Sequence, residues 1–355
     1  MSDKAPETKK VPFERSYHDK VFVDNYEWLR DKENPETVAW ITAQNDFTEK
    51  TFESQQPLRD ALFQEIKTRV KETDTSLPSR HKNWWYNSRS QAGKNYSIQT
   101  RIPVDPSNPW NIPTLDEIEI AENEQVYFDG NIEAEGHEYF SVGTLDISDD
   151  GNLLLYGIDT TGAERYDLRI RDLQTGEDFA DFIPATSAGA SFSFGGEYVF
   201  YLIPDDAWRP YQIWRHRVGT PTTEDELVYE EKDERFWLNI DGTDLSNHYF
   251  VFSAGSKNTS EIWVQDINNP LADLVSVWGR REGIDFDIDI SVFAGEELVL
   301  ITHNQNSPDF EVGYISAKDI GATPPAEAKV LLPPVAGTRY EGVAAYRDFV
   351  LVDYR

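Results

Sequence analysis

The groups in this chain that could do chemistry are six histidines, scattered serines and 64 carboxylates, with no cysteine at all. A serine nucleophile of the hydrolase kind needs a sharp strand-to-helix turn, written Gly-x-Ser-x-Gly. That turn frees the hydroxyl beside its base and the oxyanion donors. The nearest stretch, Gly189-Ala190-Ser191-Phe192-Ser193, lacks the second glycine and sits in strand-like surroundings. His18, His81, His137, His216, His248 and His303 stand singly, none with a serine or a second ligand at motif spacing. A triad is recognised by joint geometry, so the sequence assigns no catalytic residue. His216, in Trp214-Arg215-His216-Arg217, reads as a surface residue or a contact between neighbouring sheets. No pair of ligands has a known metal spacing, and neither a metal nor a cofactor is expected.

Charge narrows the classes further. The formal net charge of −31 argues against nucleic acid and anionic membranes, which need neutralising Lys and Arg, and suits a basic partner or substrate. The opening MSDKAPETKK is polar, and no stretch is long and apolar enough to span a bilayer, so a soluble cytoplasmic protein is expected. The acidic runs Asp116–Glu124 and Thr223–Glu234 lie in turn-rich segments, where solvated charge is the default.

The elements that must position any site divide near residue 76. Residues 1–75 read as a helical extension. Asn34 caps a helix with Pro35 at its first position and Glu36 in the first turn, and Trp40, Ala43 and Phe47 share a face. A second helix opens at Pro57 with Leu58, Leu62, Ile66 and Val70 as an apolar stripe that must be buried. Residues 76–355 read as short β-branched and aromatic strands between Asp, Gly, Asn and Pro turns.

Apolar strand cores at Leu153–Tyr156, Tyr198–Leu202, Tyr249–Phe252, Leu298–Ile301 and Phe349–Val352 recur about every 50 residues. The clearest unit, 143–177, places hairpin turns at Asp150-Gly151, Thr161-Gly162 and Thr175-Gly176. Four strands joined by tight turns are the content of a β-propeller blade. The same layout returns in 190–231, 240–280 and 288–333, and 83–130 forms a first blade with a Pro-rich insert at 102–113. The fold class is therefore mainly β, with about five blades and the opening of a sixth at 340–355. Trp84, Trp85, Trp208, Trp214, Trp237 and Trp263 are expected as filling between sheets rather than as a ligand platform. A five-bladed glycosidase is one alternative, and it requires paired carboxylates converging on the propeller axis. A free-standing propeller that binds a protein or peptide partner is another.

Seven segments carry a resemblance. VDNYEWLRD (23–31), YNSRSQAGKNYSIQTR (86–101), EGHEYFSVGTLDISDDG (135–151) and GAERYDLRIRDLQTGE (162–177) come first. AWRPYQIWRHRVGT (207–220), VYEEKDERFW (228–237) and SKNTSEIW (256–263) complete the set. Together they resemble the oligopeptidase B group of the prolyl oligopeptidase family of serine peptidases.

The resemblance implies a helical extension, a seven-bladed propeller and an α/β-hydrolase domain that cleaves short basic peptides after Lys or Arg, the propeller gating entry. It implies also that the triad lies beyond the propeller, so no catalytic residue carries over and this chain is expected to be inactive alone. On the same ground Trp28 and Leu29 are expected to pack onto the hydrolase domain, and Glu138 to pair with one of its arginines. Without that domain, an exposed sheet edge and the uncovered stripe are expected to drive self-association.

Overall fold

The computed structural model describes residues 4–355 apart from 120, 245, 294, 347 and 348, so the first three residues of the polar opening lie outside it. It divides into two compact units, Met1–Asp74 and Thr75–Arg355.

In the first unit a hairpin pairs Phe13–Tyr17 with Lys20–Asp24. His18 and Asp19 form its turn, both at positive φ. A short 3-10 helix follows at Glu27–Arg30, then helices at Pro35–Phe52 and Gln56–Lys67. The Asn34 side chain accepts from the Glu36 amide at 2.9 Å, a cap worth about 1 kcal/mol. The apolar stripe of the second helix is uncovered in this chain. Leu58, Leu62 and Ile66 are 59%, 48% and 63% exposed, and Val70 lies past the end of the helix. Spacing forecasts which residues share a face, but burial needs a second layer laid over that face.

The second unit is a run of antiparallel sheets whose spatial strand order follows the chain. Sheet 1 contains Ser79–His81, Trp84–Ser90, Ile98–Pro103 and Gln125–Asp129. Sheet 2 contains Ser141–Ile147, Leu153–Asp159, Tyr166–Asp172 and Asp178–Thr186. Sheet 3 contains Ser191–Phe192, Tyr198–Pro204, Pro210–Arg217 and Glu226–Glu230. Sheet 4 contains Trp237–Thr243, Tyr249–Gly255, Ser260–Asp266 and Val275–Ser276. Sheet 5 contains Phe286–Phe293, Glu296–His303, Glu311–Ser316 and Lys329–Leu332. A final pair joins Tyr340–Ala345 to Val350–Tyr354.

The repeat in the sequence is a repeat of one turn. In the first hairpin of sheet 2, the Ser148 hydroxyl accepts from the Leu153 amide at 2.9 Å, and Gly151 takes φ +76°. In sheet 3 Ser193 accepts from Tyr198 at 3.1 Å with Gly196 at φ +72°, and in sheet 4 Asp244 accepts from Tyr249 at 2.7 Å with Asn247 at φ +58°. A short oxygen-bearing side chain closes each loop, and a residue tolerant of positive φ reverses it.

All five expected strand cores fall on second strands, four in sheets 2 to 5 and the last at Val350–Tyr354 of the final pair. Leu154, Leu155, Tyr156, Val199, Phe200, Val299 and Ile301 are almost wholly buried there, each contributing about 1.5–3 kcal/mol. Most of the apolar clusters lie between consecutive sheets rather than inside one. Leu155, Leu168 and Ile183 of sheet 2, for example, meet Phe192, Val199 and Tyr201 on the sheet 3 side. Trp263 fills such an interface as expected, whereas Trp85 is buried against Ile102 of its own sheet and Ile118 of the insert that follows. Trp208 and Trp237, each 51% exposed, fill none. Trp208 lies in the loop between the second and third strands of sheet 3, and its indole N–H donates to the Ala163 carbonyl at 2.7 Å.

Because neighbouring strands alternate in direction, the loops entering each first strand and those joining second to third strands gather on one rim. The first-hairpin turns gather on the opposite rim.

Candidate functional site

The first strand of sheet 5 alternates apolar and acidic residues, and those of sheets 2 and 4 carry one aspartate each. In sheet 5, Phe286 and Ile290 enter the core between sheets 4 and 5, with Ile288 packed against them. Asp287 and Asp289 point the other way. Together with Asp241 and Asp244 of sheet 4 and its following turn, they line a cavity of 260 Å³. A second cavity of 310 Å³ is lined by Asp241, by Asp146 and Asp149 of sheet 2 and its turn, and by Ser191 and Ser193 of sheet 3. Asp241 belongs to both. The second cavity is reached by residues of the first strands of sheets 1 to 4, so these strands are innermost, at the axis of the propeller. The carboxylates of sheets 2, 4 and 5 form one wall along it.

Desolvation by the protein around the cavities raises Asp146, Asp241, Asp287 and Asp289 above the ordinary aspartate value of 3.8, although Asp241 and Asp287 remain solvent-accessible. Like charge adds to the effect, Asp287 acting on Asp241 and Asp285 on Asp287. Asp146 is partly relieved by hydrogen bonds, accepting from the Phe192 amide at 2.7 Å and the Ser191 hydroxyl at 2.9 Å. Asp289 accepts from the Ala345 amide. Among the described residues none of the four is ion-paired with Lys or Arg. Such a wall attracts cations without holding one. No group of three or more ligands able to hold a metal ion occurs among the described residues.

His216 is placed quite differently. It is wholly buried, so the surface reading is set aside and the contact reading stands. Its Nδ1 lies 2.6 Å from Asp225 and its Nε2 2.8 Å from Asp181, which belongs to the last strand of sheet 2. The Tyr201 hydroxyl donates to Asp225 at 2.8 Å, and the Gly219 amide to Asp181 at 2.6 Å. This network staples sheets 2 and 3 together. Closed off from solvent, it has no room for a substrate.

Ser191 also has a structural setting. It lies on the two-residue first strand of sheet 3 with its hydroxyl on Asp146, not on a strand-to-helix turn. His303 is buried 4.9 Å from the Trp278 ring, and burial lowers its pKa below the usual histidine value. Trp28, in the 3-10 helix of the first unit, donates from its indole N–H to the Lys9 carbonyl at 3.1 Å. Its neighbour Leu29 is half-buried. Glu138 is exposed in the loop entering sheet 2, which belongs to the entry rim of the second unit.

Sequence reasoning about acidity looked at the dense runs. Asp116 and Glu117, in the first of them, are exposed, with Glu117 turned back on Thr114. The axial acids are single residues in strands, and the signal for them is the alternation in Asp285-Phe-Asp287-Ile-Asp289-Ile.

The chain matches the family model described as "Prolyl oligopeptidase, N-terminal beta-propeller domain" over residues 6–355. It is 32% identical to Protease 2 of Moraxella lacunata over 321 residues, which is 90% of this chain and 44% of that protein. It is 31% identical to dipeptidyl aminopeptidase BI of Pseudoxanthomonas mexicana over 294 residues, 81% of this chain and 40% of that one. Among solved structures, oligopeptidase B from Leishmania major aligns with TM-score 0.87 at 20% identity, covering 100% of this chain and 50% of that chain. Oligopeptidase B from Trypanosoma brucei, closed and with antipain covalently bound, aligns with TM-score 0.85 at 23% identity over 99% and 49%. The chain thus spans about half or less of the length of these relatives.

Proposed function

The chain belongs to the prolyl oligopeptidase family, whose N-terminal β-propeller it carries, and from that premise we propose that it is the substrate-admitting part of an oligopeptidase B-like serine endopeptidase. In this reading the complete enzyme acts in the cytoplasm on short basic peptides, cleaving after Lys or Arg. The propeller gates their entry, and the triad belongs to a hydrolase domain outside this chain. Trp28 and Leu29 of the extension, and Glu138 on the entry rim, serve as contacts to that domain.

The observation that carries the reading is the acidic wall. Asp146, Asp241, Asp287 and Asp289 line the inner strands and are matched by no Lys or Arg among the described residues. Low-dielectric walls of one sign focus the field and concentrate counter-charged ligands. Carboxylates at the axis are also what a glycosidase needs, but the family match over 6–355 favours peptide as the ligand.

The test is a crosslinking map. An arginine-rich peptide bearing a photoreactive group should label residues 239–243 and 286–293 and remain uncleaved by this chain alone. Labelling confined to the outer strands, or turnover of the peptide, would sink the reading.

A further inference from the structure

Lys82 stands at the tip of the first hairpin of sheet 1, in a two-residue turn with Asn83, and takes φ +49°. That turn lies on the rim opposite Glu138. The Lys82 ammonium is ion-paired with Asp149, in the first hairpin turn of sheet 2. It also sits 5.4 Å from the centre of the Phe194 ring, in the corresponding turn of sheet 3. One side chain therefore reaches across three consecutive sheets.

Both of its partners line the 310 Å³ cavity that holds Asp146 and Asp241, and so does the adjacent His81. The chain places its own lysine at the edge of the acidic wall, with a carboxylate for its charge and an aromatic face beside it. These are the groups that would receive the side chain of a basic peptide.

We propose that Lys82 is a built-in competitor. Its ammonium occupies the carboxylate-and-ring position at the turn-rim mouth of the acid-lined axis, and a lysine or arginine of an entering peptide must displace it. The inference rests on the reading of the axis as a passage for basic peptides, and it adds the residue that sets how readily one mouth of that passage is entered. Lys82 is 46% exposed and Asp149 26%, so the pair is held weakly enough to exchange. A wholly buried pair would lock the mouth. An exposed one biases it and lets a second cation take over.

A plug and a simple tie between sheets differ in one respect. Loss of a tie lowers stability and leaves ligand affinity alone or reduces it. Loss of a competitor raises affinity, and raises it further as the charge at position 82 becomes more negative.

The experiment is a titration of a fluorescent arginine-rich peptide against the purified chain, with its glutamine-substituted counterpart as control. Lys82→Arg should bind like the natural chain. Lys82→Gln should bind about three- to fivefold tighter, the range expected for release of one exposed ion pair, and Lys82→Glu tighter still. In an Asp149→Asn background the difference between Lys and Gln at position 82 should vanish. Thermal unfolding run alongside shows that each variant is folded.

Equal or weaker binding by Lys82→Gln, with the natural chain still binding, overturns the inference and leaves the axial reading intact. Absence of binding by both the natural chain and Lys82→Glu overturns the axial reading, and the inference with it.

Discussion

Two groups of aspartates, one shut away between sheets and one lining cavities at the axis, occupy neighbouring parts of the same fold and are treated in opposite ways. Between sheets 2 and 3, Asp181 and Asp225 each have His216 within hydrogen-bond distance, and each accepts a further bond from Gly219 or Tyr201. Along the axis, Asp241 and Asp287 are exposed to the cavity they line. The Ser253 hydroxyl bonds Asp241, the Ile288 amide donates to Asp287, and neither carboxylate has an ion-pair partner among the described residues. A fold that needed only rigidity could place apolar residues at both. Buried carboxylates that are satisfied hold sheets together, whereas partly desolvated carboxylates without a counter-charge cost stability and are retained where an outside cation can supply it.

The contrast can be broken most forcefully at the staple. His216→Phe leaves two buried carboxylates facing an apolar ring, and loss of one partner from such a network costs about 3–5 kcal/mol. The urea midpoint should fall steeply. A midpoint close to that of the natural chain would mean that the network contributes nothing to holding sheets 2 and 3.

Axial substitutions should act with the opposite sign. Asp146, Asp241, Asp287 and Asp289 are raised above 3.8 in the folded state, chiefly by desolvation among the surrounding protein. As pH rises from that value, the unfolded chain releases these protons first, so the folded state holds more of them. Their contribution therefore lowers stability with rising pH, until the folded groups ionise as well. Asp241→Asn with Asp287→Asn should flatten this decline and raise the melting temperature at neutral pH. A lower melting temperature there would show that the hydrogen bonds these carboxylates accept outweigh their desolvation.

The smallest effect is expected in the extension. Leu62 and Ile66 are 48% and 63% exposed on one helix face, and the purified chain should elute above monomer size. Leu62→Lys with Ile66→Lys should shift it toward monomer, and an unchanged profile would clear this face of a part in self-association.

Much of this was legible in the sequence because it is local. The Asn34 cap, the Asp150-Gly151 turn and the second-strand cores each depend on residues within a few positions of one another. The His216 staple was not, since Asp181 lies 35 residues away on the last strand of a different sheet. The axial wall was missed for another reason. Its acids are dispersed singly over strands from Asp146 to Asp289, and only stacking of the sheets brings them together, while the conspicuous acidic runs lie elsewhere. Trp208 shows the same limit. Its type forecasts core filling, yet its place in a loop leaves it half exposed across Ala163.

The most direct test of the central claim is equilibrium binding of a labelled arginine-rich peptide to the natural chain and to the Asp241→Asn, Asp287→Asn variant, each at low and high salt. The account predicts binding that weakens with salt, and that weakens about tenfold on removing the two axial charges at low salt. Equal affinity for both proteins at low salt would contradict it, since the peptide would then be held by the protein's general negative charge and not by the axis.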